Sequence, residues 1–112
     1  MKDKLFERRC KPCEGGIDAL APDAATDLLE ALHEDWSVSR DGLSISRRFE
    51  FPAYSRTLGF ANAVAWIAIA EGHHPVLTVS YGSCEVEYST HAVNGLTDND
   101  FICAAKIDRI PL

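Results

Sequence analysis

The chain has 112 residues and a formal net charge of -6, with 46% hydrophobic and 25% charged residues. This length fits one domain with a single core, and the acidic balance excludes a basic surface for binding a nucleic-acid backbone. The longest apolar run, residues 61–70, is shorter than the roughly 20 residues that span a bilayer, so we expect no membrane association. Residues 1–9 carry no apolar core of signal-peptide length, which predicts a cytoplasmic protein with reduced cysteines.

Residues 1–21 show little helical or strand pattern and are predicted to form a mobile N-terminal arm. The arm contains the C-x-x-C spacing Cys10-Lys11-Pro12-Cys13, which raises the question of metal binding or redox chemistry. A zinc site needs four ligands, and the two remaining cysteines, Cys84 and Cys103, are isolated on a predicted strand and a predicted helix. We therefore predict that Cys10 and Cys13 hold no metal.

A single domain is predicted over residues 22–112, and its first half consists of a helix followed by a hairpin. The helix covers residues 22–33, with Pro22 suited to the first helical position. Strands with alternating polarity follow at residues 36–39 and 43–51, and the Asp-Gly pair between them indicates a hairpin turn.

The second half repeats the pattern with a longer, more apolar helix. A helix is predicted over residues 53–70, ended by Gly72, followed by strands at 76–81 and 84–90 and a helix at 97–107. The order α-β-β-α-β-β-α predicts an α+β fold, an antiparallel four-stranded sheet with three helices packed on one face. Because the long helix is apolar nearly all round, we expect it to lie at a subunit interface in a homo-oligomer.

Three of the four histidines lie at the ends of predicted elements. His73 and His74 follow the long helix where the next strand begins, and His91 follows the strand after that. Imidazole is the side chain whose unperturbed pKa lies near neutrality, so this grouping indicates proton transfer to and from a bound small molecule. His33 lies outside the group and is assigned to the surface.

The hairpin between the last two strands predicts how these histidines are arranged. If Gly82 and Ser83 form a two-residue loop, Tyr81 pairs with Cys84. That register places His74 directly opposite His91, with β-carbons about 4.5–5.5 Å apart. We therefore expect these two histidines to flank the ligand as a close pair, with His73 approaching from the rim.

Three motifs, taken together, resemble the pterin-4a-carbinolamine dehydratase family. The motifs are Glu71-Gly72-His73-His74-Pro75, Ser89-Thr90-His91 and Gly95-Leu96-Thr97-x-x-Asp100-Phe101. The resemblance runs from about Trp36 to Asp108, and the cysteine-containing arm is also similar to N-terminal arms of microbial members. It implies the same antiparallel sheet with three helices and subunits paired into homodimers or homotetramers.

The implied reaction is loss of water from a 4a-hydroxytetrahydropterin, such as 4a-hydroxytetrahydrobiopterin, to give quinonoid dihydropterin. The family's catalytic histidines fall on His73, His74 and His91. Its substrate-binding positions fall on His73, His74, Pro75, Thr90, His91, Ala92 and Val93, the last two acting through backbone. The resemblance implies no metal and no cofactor.

Two acidic residues could orient the imidazoles, namely Glu71 and Asp100. For Asp100 a second explanation is equally good, because Thr97 and Asp100 have the spacing of a helix capping box. The alternative function is a non-catalytic dimerisation or assembly cofactor of the same fold. The complete histidine motif favours catalysis.

Overall fold

The computed structural model describes residues 2–12 and 18–112, and its elements follow the predicted order. The helices and strands are α1 (Pro22–Leu29), β1 (Ser37–Val38), β2 (Ile45–Glu50), α2 (Tyr54–Glu71), β3 (Val76–Val79), β4 (Ser83–Tyr88) and α3 (Asp98–Ile107). Short 3-10 segments lie at Lys2–Glu7 and His91–Val93. The predicted α+β fold is confirmed, with several strands shorter than their patterns indicated.

The four strands form one antiparallel sheet in the order β1-β2-β4-β3. Alternation along β4 defines its two faces: Cys84, Val86 and Tyr88 are fully buried, whereas Glu85 and Glu87 are exposed. Side chains of a strand alternate between faces, so the buried set marks the side that the helices cover. The core therefore lies between this face and the helices α2 and α3.

Helix α2 ends where the sequence predicts, and its end positions the first histidine. Gly72 adopts the left-handed conformation, with φ of 68°, which a glycine adopts without steric cost. The backbone N–H of His73 then donates to the carbonyl of Ala68 at 3.1 Å. His73 is thereby fixed at the end of a rigid helix and just before β3.

The predicted register of the β3–β4 hairpin is wrong by two residues. Cys84 pairs with Val79 rather than with Tyr81, and the N–H of Ser80 donates to the carbonyl of Ser83 at 2.9 Å, so the loop is Tyr81-Gly82. A slip of two residues keeps every side chain on its predicted face but changes each cross-strand partner. Continued past β3, this register sets His74 level with Ser89, not opposite His91.

Leu5, Phe6 and Cys10, which precede α1, pack against the core, whereas a mobile arm was expected for this part of the chain. Leu5 is 1% exposed, and the backbone carbonyl of Phe6 accepts a hydrogen bond from Lys106 Nζ at 2.9 Å. The guanidinium of Arg109 lies 4.2 Å from the centre of the Phe6 ring. Cys13 lies outside the described residues, and the division into an arm and a domain stays a prediction.

Within residues 2–12 and 18–112, no helix combines the length and the apolar character needed to cross a membrane. No group of three or more His, Cys, Asp and Glu side chains within the same ranges could hold a metal ion.

Candidate active site

His73 is held by a buried carboxylate at the start of α3. Its Nε2 lies 2.6 Å from Oδ1 of Asp100, and the two side chains are 13% and 0% exposed. The imidazole also stacks on Tyr88, with ring centres 5.2 Å apart, and the Tyr88 hydroxyl donates to the His73 carbonyl at 3.1 Å. The His73 imidazole is therefore restrained at its edge by Asp100 and at its face by Tyr88. The backbone of His73 is held through its carbonyl.

Asp100 is in turn fixed by the polar end of α3. Its Oδ2 accepts hydrogen bonds from Thr90 Oγ1 at 2.8 Å and from the backbone N–H of Thr97 at 3.0 Å. The second contact belongs to the predicted capping box, which is present. One carboxylate thus serves both proposed roles, because one oxygen caps the helix while the other contacts His73.

The environment of His73 favours its protonated form. Burial opposes the charge and acts to lower the pKa, but the hydrogen bond and the negative charge of Asp100 outweigh it, so the pKa of His73 is raised. Compared with a free imidazole, the His73 ring is thus biased toward imidazolium beside a fixed carboxylate. Such a group is suited to donate a proton to a leaving oxygen.

The three motif histidines line a single open cavity of about 570 Å³. His73 forms the half-buried part of the wall, and His74 and His91 are exposed beside it. Of the other predicted binding residues, Thr90 and Ala92 also line the cavity. The remaining lining residues are Cys10, Lys11, Pro12, Glu71, Gly72, Ser89 and Asn99.

Two predicted binding residues do not line this cavity. Pro75 is partly buried just before β3, and Val93 ends the 3-10 segment that begins at His91. His33 is exposed and accepts a hydrogen bond from the N–H of Asp35 at 3.0 Å, in agreement with its assignment to the surface.

The N-terminal segment, residues 2–12, forms one wall of the cavity through Cys10, Lys11 and Pro12. The sequence analysis did not predict this wall. Asn99 fixes this wall with two hydrogen bonds to the backbone of Lys11: its Oδ1 accepts from the N–H at 3.0 Å, and its Nδ2 donates to the carbonyl at 2.6 Å. The only available signal was the similarity of the arm to those of microbial family members.

Glu71 holds the same wall. Its Oε1 accepts from the backbone N–H of Cys10 at 2.8 Å, and its Oε2 lies 3.1 Å from Arg9 Nε and 3.6 Å from Lys106 Nζ. Burial acts to raise the pKa of Glu71, but the Cys10 hydrogen bond and the two cations lower it overall. Glu71 therefore anchors the N-terminal segment, whereas Asp100 is the acidic residue that contacts an imidazole.

The thiols of Cys10 and Cys103 meet behind this wall. Their sulfur atoms are 3.5 Å apart, and the Cys103 sulfur lies 3.9 Å from the His73 carbonyl oxygen. The contact between the thiols lowers the pKa of Cys103, against the effect of burial, and raises that of Cys10.

Comparison with known proteins identifies similar chains over almost the full length. The family model described as pterin 4 alpha carbinolamine dehydratase matches residues 18–110. A protein of Nitrosomonas eutropha is 49% identical, over 95% of this chain and 92% of its own length. One of Legionella pneumophila is 47% identical, over 98% of this chain and 97% of its own length. Both are provisionally named as pterin-4-alpha-carbinolamine dehydratases.

Two solved structures share the fold. A crystal structure from Brucella melitensis, titled transcriptional coactivator/pterin dehydratase, has a TM-score of 0.75 at 30% identity, covering 80% of this chain and 95% of that one. A pterin dehydratase-like protein, titled a RuBisCO assembly factor in the alpha-carboxysome, has a TM-score of 0.58 at 21% identity, covering 68% of this chain and 88% of that one. The second likeness concerns the fold alone.

Proposed function

The chain belongs to the pterin 4 alpha carbinolamine dehydratase family, and on that premise we propose that it catalyses the loss of water from 4a-hydroxytetrahydropterin. The product is quinonoid dihydropterin, formed in tetrahydropterin recycling. The observation that carries the proposal is the convergence of His73, His74 and His91 on one cavity, with His73 paired to a buried carboxylate.

The reaction requires an acid and a base on a bound ring. The hydroxyl on carbon 4a must leave as water, which needs a proton, and the neighbouring ring nitrogen must release one. Electrons move only within the substrate, since water is lost without net oxidation or reduction. Positioned imidazoles are sufficient for both transfers, so the proposed mechanism uses no cofactor.

We assign the acid to His73, because its pairing with Asp100 raises its pKa and favours the protonated ring. Its Nε2 is engaged with Asp100, which leaves Nδ1 as the nitrogen for proton delivery. The base comes from the exposed pair, His74 and His91, which line the open side of the same cavity. The sequence had predicted that His74 and His91 lie directly opposite each other and form a close acid–base pair. The observed hairpin register does not place them opposite each other, so the acid is assigned to His73 instead.

Substrate binding is assigned to the cavity wall around these rings. The Thr90 hydroxyl donates to Asp100, so its side chain acts on the substrate indirectly through the orientation of His73. Ala92 lines the cavity without a polar side chain and would contribute backbone contacts. On the opposite wall, Lys11 and Pro12 would limit the space open to the pterin ring and its substituent.

Spectroscopic measurement of water loss from freshly generated carbinolamine tests the proposal. The purified protein should accelerate dehydration well above the spontaneous rate, and His73→Ala should lose most of the acceleration. If the wild-type protein gives only the spontaneous rate, the enzyme proposal fails and the assembly-cofactor alternative is favoured. The histidine cluster supports catalysis in this comparison, because an assembly role makes no demand on three imidazoles around one cavity.

We also propose that the protein is a homodimer or homotetramer. Strand β3 lies at the edge of the sheet, and unpaired edges are usually covered in stable proteins. Next to it, helix α2 exposes Trp66 and Ile69 at 70% and 79%. A second copy of the chain is the partner that would cover both features.

A further inference from the structure

The two thiols beside the cavity have no role in the proposed reaction. Cys10 is half-buried and lines the cavity, whereas Cys103 is fully buried in α3, and their sulfur atoms are 3.5 Å apart. They are 93 positions apart in the sequence, so only the packing of the N-terminal segment on α3 brings them together.

We propose that Cys10 and Cys103 form an oxidation site, at which a peroxide converts the two thiols to a disulfide linking the N-terminal segment to α3. Access decides the order of oxidation: Cys10 lines the open cavity and meets the peroxide first, although the contact with Cys103 raises the pKa of the Cys10 thiol. Cys103 is shielded from solvent and acts as the resolving thiol. The site is independent of the proposed dehydratase activity, since its formation requires only the two sulfurs and the oxidant.

The chemistry takes two displacements. The Cys10 thiol gives up its proton as its sulfur attacks one peroxide oxygen, so that an S–O bond forms, the O–O bond breaks and hydroxide leaves. The Cys103 thiolate then attacks the Cys10 sulfur, so that the S–S bond forms, the S–O bond breaks and a second hydroxide leaves. The two thiol protons convert both hydroxides to water. Two electrons pass from the sulfurs to the peroxide, and reduction by a dithiol reverses the change.

The surrounding contacts hold Cys10 in position for this pairing. Hydrogen bonds from Cys10 N–H to Glu71 and between Lys11 and Asn99 hold the segment on either side of the sulfur. A disulfide needs a sulfur separation of about 2.05 Å. Because the Cys10 backbone is anchored beside α3, a small shift of its side chain closes the gap to Cys103.

The disulfide would link one wall of the cavity covalently to α3. Cys10 is followed in this wall by Lys11 and Pro12, and the Cys103 sulfur contacts the backbone carbonyl of His73. Oxidation would tie the wall to α3 and convert the Cys103 thiol, 3.9 Å from the His73 carbonyl oxygen, to a disulfide sulfur. The bond therefore connects the oxidation state of the protein to the geometry of its site.

Peptide mapping after peroxide treatment of the folded full-length protein tests the proposal. Cys10 and Cys13 are close in sequence, so the Cys13→Ser variant is used, and a protease specific for glutamate separates Cys84 from Cys103. The expected product is a peptide joining residues 8–14 to residues 88–112, lighter than the two reduced peptides by about 2 Da and split by dithiothreitol.

Two matched variants complete the test. Cys10→Ser should abolish the linked peptide and leave Cys103 unoxidised, because the buried thiol has lost its accessible partner. Cys103→Ser should leave Cys10 as a sulfenic acid that a dimedone-type reagent labels. Absence of the linked peptide in Cys13→Ser would overturn the proposal, as would independent oxidation of Cys103 in Cys10→Ser or a wild-type disulfide between Cys10 and Cys13.

Discussion

A single buried carboxylate, Asp100, organises the site at the level of individual residues. A charged side chain that is buried away from water is tolerated only when it is paired and hydrogen-bonded. Asp100 satisfies this with the His73 ring, the Thr90 hydroxyl and the Thr97 backbone N–H. Because α3 sets the position of the carboxylate, the helix cap also sets the position of the imidazole.

His73→Ala should reduce kcat by about 10²–10⁴-fold, the usual contribution of one general acid–base group. The dehydration assay measures the loss, and circular dichroism verifies that the variant is folded. His33→Ala is the control, because this exposed histidine lies outside the cavity. A kcat for His73→Ala within a few-fold of wild type would contradict its assignment as the acid.

The His73–Asp100 pair should also give a pH-dependent contribution to stability. A histidine whose pKa is raised on folding binds its proton more tightly in the folded state, so its stabilisation is complete below the unfolded pKa, about 6.5. The contribution is lost as pH rises through the folded pKa. The free-energy advantage of wild type over His73→Gln should therefore shrink between about pH 6 and pH 8.5 in reducing buffer.

Urea titrations of both proteins at the two pH values measure this difference. Each unit of pKa elevation corresponds to ~1.4 kcal/mol. Groups that titrate equally in both proteins cancel in the comparison. An advantage that grows as pH rises has the wrong sign and would show that the folded state lowers the pKa of His73.

At the level of elements, the end of α2 depends on the conformation of Gly72. Its φ of 68° is one that a side chain disfavours, although no atom lies within 4 Å of where a β-carbon would be. Gly72→Ala should therefore destabilise the protein by about 1–2 kcal/mol through backbone strain alone. Chemical denaturation of the variant and wild type gives the value.

The matched control for this substitution is Gly59→Ala, inside α2. Its site is equally open, but its backbone is helical, so alanine should stabilise the helix by about 0.5–1 kcal/mol. Opposite signs for the two glycines would confirm that backbone conformation, not space, decides the effect. Equal destabilisation at both positions would point to packing instead.

Local signals in the sequence are sufficient to predict the order of elements and most helix ends. Alternation along residues 84–88 gives the buried face of β4, and Gly72 gives the end of α2. The three histidines and Asp100 are identified from motifs that lie next to these ends. Each of these signals is carried by residues near one another in the chain.

The hairpin register could not be predicted because distant residues determine its loop. Thr57 Oγ1 in α2 donates to the carbonyl of Tyr81 at 2.9 Å, and the N–H of Phe51 donates to the carbonyl of Gly82 at 2.8 Å. A β-carbon on Gly82 would lie 3.1 Å from the Phe51 carbonyl oxygen, so glycine also suits this close approach. These contacts select Tyr81-Gly82 over Gly82-Ser83 as the loop.

The packing of the N-terminal segment was missed for the same reason. Leu5 and Phe6 are two adjacent apolar residues without periodic neighbours, and their packing depends on the surface that α3 offers. The wall that Cys10, Lys11 and Pro12 add to the cavity depends on Glu71 and Asn99, which lie far along the chain.

At the level of the whole molecule, large apolar side chains are exposed on both α2 and β3. Helix α2 presents Trp66 and Ile69, and the edge strand β3 presents Val76, which is 60% exposed. Large apolar side chains left exposed in this way are a common feature of interaction sites. The self-association proposed above would bury it and cover the sheet edge together.

The variant Trp66→Lys/Ile69→Lys should dissociate the assembly. Each large apolar side chain contributes roughly 1.5–3 kcal/mol when buried, so losing two weakens association by about 10²–10⁴-fold. Light scattering at micromolar concentration should give two or four times 12.3 kDa for wild type and a lower mass for the variant. Glu34→Lys, at an exposed position in the turn after α1, is the control for added charge and should keep the wild-type mass. A wild-type mass near 12.3 kDa would rule out self-association. An unchanged mass for the variant would place the interface elsewhere, because two lysines cannot be buried against an apolar partner without a large desolvation cost.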